Sequence, residues 1–262
     1  MSAFLGFTAL VLTGFLVLAR LSQRVVDDAE ETAGDERVRV PAGPTAGEPA
    51  TDGDTNDHVR TGPAALLANV ALTQGLFGGV LAAAAWFFQV SGTALGLAGG
   101  RVTGLAAVGA GVAFGVALWV GNELAGALAD ATGAGYDEGL RQMLAPAAPR
   151  GWGILLGGVL PVIALVEEFL FRAAAIGAAS AWLGGTPAVA WTLAVVSSLA
   201  FALGHSAQGR VGVVVTGTLG FALAAGFLLS GSFVVVVVAH YVVNATEFLV
   251  HEGAGLPDPV WS

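Results

Sequence analysis

From Pro63 onward the chain is almost continuously apolar, and this constrains its fold more than any other feature. Six apolar runs, at about 64–90, 101–125, 153–181, 187–205, 211–229 and 232–250, are each close to the length that crosses a bilayer as a helix, about 20 residues. A seventh run, AFLGFTALVLTGFLVLA at 3–19, precedes them. It has no basic segment before it and no clear small-x-small site after it, so it reads as a retained helix rather than a signal peptide. Backbone groups in hydrocarbon must be satisfied within the chain, which favours helices. The expected fold is an all-α polytopic membrane protein with about seven transmembrane helices. Composition agrees: of 262 residues, 55% are hydrophobic and 11% charged, where a soluble domain carries about 25% charged residues.

The expected division is an N-terminal transmembrane helix at 1–20, an acidic flexible linker at 21–62 and a helical membrane domain at 63–262. The linker, SQRVVDDAEETAGDERVRVPAGPTAGEPATDGDTNDHVRTG, holds most of the acidic residues behind the net charge of −9. Its Pro, Gly and charge content cannot bury a core. The polar loop at 129–151 has room for a short interfacial helix, and Gly231–Ser232 leave almost no loop between the last two runs. Arg20, Arg24, Arg37, Arg39, Arg60, Arg141, Arg150 and Arg210 fall in loops that seven spans place on one side. The positive-inside rule makes that side cytoplasmic, with the N-terminus outside and the C-terminus inside.

The charge and the lack of lysine leave no cationic footprint for nucleic acid. The absence of cysteine removes disulfides, thiolate metal sites and a cysteine nucleophile. No inverted repeat of the transporter kind is recognisable. The lipid bilayer is an expected partner, and a membrane-associated protein or peptide joins it if the chain is a peptide hydrolase.

Within the run from Gly153 to Leu183 stands VEEFLFRAAAI, which puts Glu167, Glu168 and Arg172 in apolar surroundings. Each costs roughly 2.5–3.5 kcal/mol at the centre of a spanning helix if left unpaired. Glu168 and Arg172 are four residues apart and can pair on one helix face. Glu167 lies about 100° around the helix and must point elsewhere. An intramembrane carboxylate without a partner of its own is a functional candidate.

Two later spans carry further polar groups. SLAFALGHSAQGR places His205 near a span end with Phe201 one turn earlier, and VVVVVAHYVVNATEF places His240 and Asn244 on one face of an apolar helix. The depths of Glu167, His205 and His240 agree only if a helix is offset or bent, and Pro161 supplies a cause. A polar cavity open to the cytosol would reconcile the three.

A carboxylate and an imidazole can activate water, while a second imidazole and a carboxamide can hold the oxyanion of a tetrahedral intermediate. Such a set would hydrolyse an amide without a serine or cysteine nucleophile. Ser197, Ser198 and Ser206 lack a base at triad spacing and fit helix contacts. The competing use is zinc bound by Glu167, His205 and His240, a His₂Glu set with one position left for water. HExxH is absent and Asn244 suits an oxyanion better than a metal, so metal-free hydrolysis stands ahead of zinc. Glu247, outside this set, either tunes His240 or pairs with His251, and reads first as a helix-end residue near water.

These residues resemble the motifs of the CPBP intramembrane proteases, also called the Abi or CAAX-protease family, whose members include the type II CAAX prenyl endopeptidases. EExxxR corresponds to Glu167, Glu168 and Arg172, FxxxH to Phe201 and His205, and HxxxN to His240 and Asn244. The approach SGSFVVVVVAHYVVN is also similar to the family's. The resemblance covers roughly residues 150–250, the expected protease core. It implies a helical fold with a conical cavity open to the cytosol, Glu167 and His205 activating water, His240 and Asn244 holding the oxyanion, and Glu168 and Arg172 in support. Without catalysis, the same chain would be a membrane scaffold or immunity protein, and a transporter is the more distant alternative.

Overall fold

The computed structural model describes residues 1–38, 63–133 and 139–253, and no strand occurs among them. Among the described residues one short helix, a 3₁₀ turn and six long helices follow the first: α1 Ser2–Val38, α2 Pro63–Phe87, α3 Gly104–Ala131, α4 Gly139–Leu144, α5 Pro149–Trp182, α6 Pro187–Gly204, a 3₁₀ turn at Ser206–Gln208, α7 Gly209–Ser230 and α8 Phe233–Gly253. Six of the helices, α2, α3 and α5–α8, are long and apolar enough to cross a membrane. The chain is a multi-pass membrane protein.

The apolar part of α1, Ser2–Leu18, is about 26 Å long at 1.5 Å per residue, slightly under a hydrocarbon core of roughly 30 Å. It is nonetheless packed into the bundle, because Phe4, Thr8 and Val11 are buried and Phe15 meets Phe171 edge-on. Beyond this part α1 remains helical to Val38, past the point where the flexible linker was expected to begin. The segment from Leu21 to Val38 contains no proline and carries three Glu, two Ala, two Arg and one Gln, residues that favour helix whether or not the helix is solvated. Residues 39–62 of the expected linker lie outside the described residues.

α3 shows why these helices belong in lipid. Leu105, Val108, Val112, Val116, Val120, Leu124 and Leu128 are exposed along one stripe, at the spacing that lines a single helical face. The opposite face carries Gly111 and Gly115, where an added Cβ would lie 2.7–2.8 Å from Val238 and from the carbonyl oxygens of Val235 and Ala239. Small residues four apart let two membrane helices approach closely, and here they bring α3 against the α8 turn that carries His240.

α5 lies at the centre, packed by α1, α2, α6 and α8. The bend expected at Pro161 takes the form of a wide turn. Residues Leu155–Val159 are π-helical, and the N–H of Leu160 donates to Leu155 O, five residues back. Proline lacks an N–H and its ring crowds the preceding turn, so widening that turn makes room for it. A second π segment, Phe169–Ala178, begins directly after Glu168. α7 and α8 form the expected tight hairpin, with Gly231 left-handed at φ +64°. The loop before α3 clamps it, since Arg101 N–H donates to Ser230 O and Phe233 N–H to Gly96 O.

Candidate active site

Four side chains from α5 and α8 meet in the interior. Glu168 is fully buried and Arg172 is 1% exposed, with Glu167 and His240 also buried. Arg172 Nη1 donates to Glu168 Oε1 at 2.8 Å, the i,i+4 pair expected from spacing. The guanidinium also donates from Nη2 to Gly220 O of α7 at 2.9 Å and lies 4.7 Å from the centre of the Phe201 ring of α6. One arginine thus joins three helices, through an ion pair, a backbone acceptor and a cation–π contact. Burial on this scale is tolerable only because the charge is paired and hydrogen-bonded.

Glu168 has a second partner that spacing did not reveal: His240 Nδ1 lies 2.7 Å from Glu168 Oε1. An oxygen that already accepts from Arg172 carries no proton of its own and can only accept again, so Nδ1 carries the hydrogen. The other imidazole nitrogen, Nε2, faces Glu167 Oε2 at 3.9 Å. That is too long for a direct hydrogen bond and fits two groups bridged through a third atom. Glu167 Oε1 accepts from Gln74 Nε2 of α2 at 3.2 Å, whereas Oε2 is buried with no partner among the described residues. The two adjacent glutamates therefore divide as the 100° rotation requires, one toward the arginine and one away from it, with His240 between them.

His205 follows the last residue of α6 and is half-buried. Its Nδ1 lies 2.9 Å from Phe201 O. A carbonyl can only accept, so Nδ1 carries a hydrogen here too, and in the neutral tautomer with this hydrogen Nε2 offers a lone pair. His205 stacks on Phe201 at 4.5 Å between ring centres, and the same Phe201 meets His240 edge-on at 6.1 Å. His205 and His240 thus share contact with one aromatic ring, and His205 does not come within metal-ligand reach of the Glu167–His240 pair. Asn244 lies one turn beyond His240 on α8 and is half-buried.

The serines hold helices. Ser197 Oγ donates to Phe171 O across α5 and α6 at 2.6 Å, while Ser198 and Ser206 donate to carbonyls of their own neighbourhood, Ala194 O and Leu203 O.

Glu247 does not reach His240. It pairs with Arg141 of α4 at 2.6 Å and lies 3.8 Å from His251. Arg141 also pairs with Glu252 at 3.0 Å, and His251 Nε2 lies 2.8 Å from Glu123 Oε1 of α3. This network fastens α4 to the ends of α3 and α8. Glu247, Glu123 and His251 are the one group among the described residues whose ligand atoms fall within metal-binding reach of one another. Arg141 already supplies the positive charge such a cluster needs. The zinc alternative fits the site less well: Glu167 and His240 approach each other, but His205 does not join them within that reach.

Residues 149–246 match the model of a protein family described as type II CAAX prenyl endopeptidase Rce1-like. They form a domain of that family. The Rce1-like domain comprises α5–α7 and most of α8 and contains Glu167, Glu168, Arg172, His205, His240 and Asn244. At the coarse level this places the protein among membrane-bound proteases, with a membrane-associated substrate. No curated protein and no solved structure gives a significant match. The polar residue missed by sequence reading, Gln74, lies outside the domain. Its signal was a lone carboxamide in the middle of an apolar span, of the same kind that drew attention to Asn244.

Proposed function

We propose that the protein is an intramembrane endopeptidase that hydrolyses a peptide bond of a membrane-associated substrate with water activated by Glu167. The observation that supports this reading most is the bracketing of His240: Glu168 holds Nδ1 at 2.7 Å, and Nε2 is turned toward Glu167 Oε2 at 3.9 Å. A water between Oε2 and the imidazole gives up a proton to Glu167 as it attacks the scissile carbonyl. The new O–H oxygen bonds the carbonyl carbon, and the displaced π electrons become an oxyanion. His240, anchored through Nδ1 on Glu168, stabilises that oxyanion by donating from Nε2 when this nitrogen also carries a proton, and Asn244 adds a carboxamide N–H. Collapse of the intermediate breaks the C–N bond, and the proton held by Glu167 passes to the leaving amine. The family likeness also gives His205 a part in activating water; its imidazole is stacked on Phe201 with Nδ1 on Phe201 O, and it takes up that part by leaving this stack to reach the Glu167–His240 pair. Glu168 and Arg172 orient His240 rather than react.

This is glutamate chemistry without a metal, and the spacing of Glu167, His205 and His240 favours it over a three-ligand zinc site. In a seven-span topology the arginine-bearing loops fall on the side where α6 ends at His205, which the positive-inside rule assigns to the cytoplasm, and substrate would approach from there. The family description makes a prenylated CAAX-type peptide the first substrate to try.

The test compares peptide termini in membranes from cells expressing wild type or Glu167→Gln at equal levels. Termini that appear only with wild type support proteolysis and reveal the substrate. Identical patterns from two folded, equally abundant proteins would replace this reading with a scaffold that binds without cleaving.

A further inference from the structure

We propose that Gln74 of α2 is a positioning residue for Glu167, so that the hydrolytic site is completed by a helix outside the Rce1-like domain. This rests on the reading of Glu167 as the group that activates water. Gln74 sits within the apolar span Leu67–Phe87, where a carboxamide is costly unless hydrogen-bonded. It is half-buried, and its Nε2 donates to Glu167 Oε1 at 3.2 Å. The opposite amide orientation would set an oxygen against a carboxylate oxygen, so the donor assignment follows from the partner.

The helix that carries Gln74 is shaped for this contact. One turn further along α2, Gly78 faces Val166, the residue before Glu167, and a Cβ at position 78 would run into the Val166 side chain. Glycine there lets α2 approach α5 closely enough for a glutamine side chain to reach. α2 otherwise turns a lipid face outward, with Leu72, Leu76 and Val80 exposed.

The contact fixes which oxygen of Glu167 reacts. A glutamate side chain has three rotatable bonds, and an untethered carboxylate can exchange its two oxygens. With Oε1 held by Gln74, Oε2 is the oxygen left toward His240, and it is buried without a partner among the described residues. Gln74 Oε1 is likewise buried and unpartnered. Two acceptors therefore flank the tether, and both suit a molecule with two O–H donors, as water has.

The experiment pairs Gln74→Leu, which keeps the bulk and removes the donor, with Thr73→Val on the exposed neighbour as a control for losing a polar group from α2. Steady-state cleavage of the peptide identified by the termini comparison is measured in detergent below the melting temperature of each variant. Alongside it, the ¹³C signal of the Glu167 carboxyl carbon, assigned by its disappearance in Glu167→Gln, is followed by NMR.

The expected result is a loss of kcat on the order of 100-fold, the scale of a misplacement of about 1 Å, with KM within about twofold and a displaced Glu167 signal. Thr73→Val should match wild type in all three. Gln74→His, which retains a ring N–H donor, should recover part of kcat. If Gln74→Leu cleaves at the wild-type kcat while Glu167→Gln is inactive, Gln74 is a helix contact only, and the functional reading survives without it. If wild type generates no Glu167-dependent termini, the functional reading fails and takes the positioning role with it, even where the NMR signal moves.

Discussion

His240 meets Glu168, not Glu167, at hydrogen-bond distance: Nδ1 lies 2.7 Å from Glu168 Oε1, whereas Nε2 lies 3.9 Å from Glu167 Oε2. The same Glu168 oxygen accepts from Arg172 at 2.8 Å. Glu168 therefore couples the stability of the bundle to the orientation of the imidazole, and the two adjacent glutamates should fail in different ways when replaced.

Glu168→Gln leaves Arg172 as a buried cation without a carboxylate, a change that typically costs about 3–5 kcal/mol. Its melting temperature in detergent should fall well below that of wild type, and cleavage should be lost. The double variant Glu168→Gln/Arg172→Met removes both charges, so the melting temperature should recover in large part while cleavage stays absent. Recovery of cleavage in the double variant would mean that His240 does not need the carboxylate.

Arg172→Lys keeps the charge and loses the geometry. The guanidinium serves Glu168, Gly220 O and the Phe201 ring at once, and a point-charge ammonium cannot present two separated donors and a planar face. The expected destabilisation is about 1–3 kcal/mol, the scale of a lost hydrogen bond to a charged group. A melting temperature equal to that of wild type would show that the ion pair alone matters.

Gly220→Ala tests the contact between α7 and the site. A Cβ there would lie 2.9 Å from Phe201 Cδ1 and 3.5 Å from Arg172 Nη2, and Phe201 is 2% exposed with little room to yield. Overpacking of this kind costs about 1–3 kcal/mol. Because His205 stacks on Phe201, cleavage should fall more than tenfold, on the scale of a 1 Å misplacement. Gly79→Ala in α2, where nothing lies within 4 Å of the added Cβ, should change neither melting nor cleavage.

The membrane helices were legible because hydropathy needs no partner to be read. Each of the six long runs became a helix within a few residues of its expected bounds. The i,i+4 pair of Glu168 and Arg172 and the outward rotation of Glu167 were legible for the same reason, since both follow from the geometry of one helix. What crossed between helices was not. Spacing gave no means of choosing Glu168 over Glu167 as the partner of His240, of finding Gln74 some 93 positions from Glu167, or of seeing that Arg141 would take Glu247. The extension of α1 to Val38 was hidden by composition, because charged residues that favour solvation also favour helix.

Arg141→Ala separates the polar cluster at the end of α8 from the candidate site. It removes the partner of both Glu247 and Glu252, whose side chains are largely enclosed, and leaves three carboxylates near His251. The melting temperature should drop by the equivalent of about 1–3 kcal/mol, below the 3–5 kcal/mol of a fully buried pair because some solvent remains. The termini generated at a temperature where the variant is folded should be the same set as for wild type. A changed set of termini would show that α4 touches substrate.

Removal of metal provides the remaining test of the chemistry. Glu167 and His240 could face one ion at their 3.9 Å separation, but a His₂Glu zinc site also needs His205, whose Nδ1 is engaged by Phe201 O and whose ring is stacked on Phe201. Cleavage by protein dialysed against a strong chelator should therefore stay within about twofold of the untreated rate, whereas loss of a zinc that activates water would remove the nucleophile altogether. The Glu123–Glu247–His251 group supplies the control, because a divalent ion bound there would alter melting without altering cleavage. Activity lost on chelation and restored by zinc would overturn the glutamate mechanism and require His205 to swing past Phe201 toward Glu167.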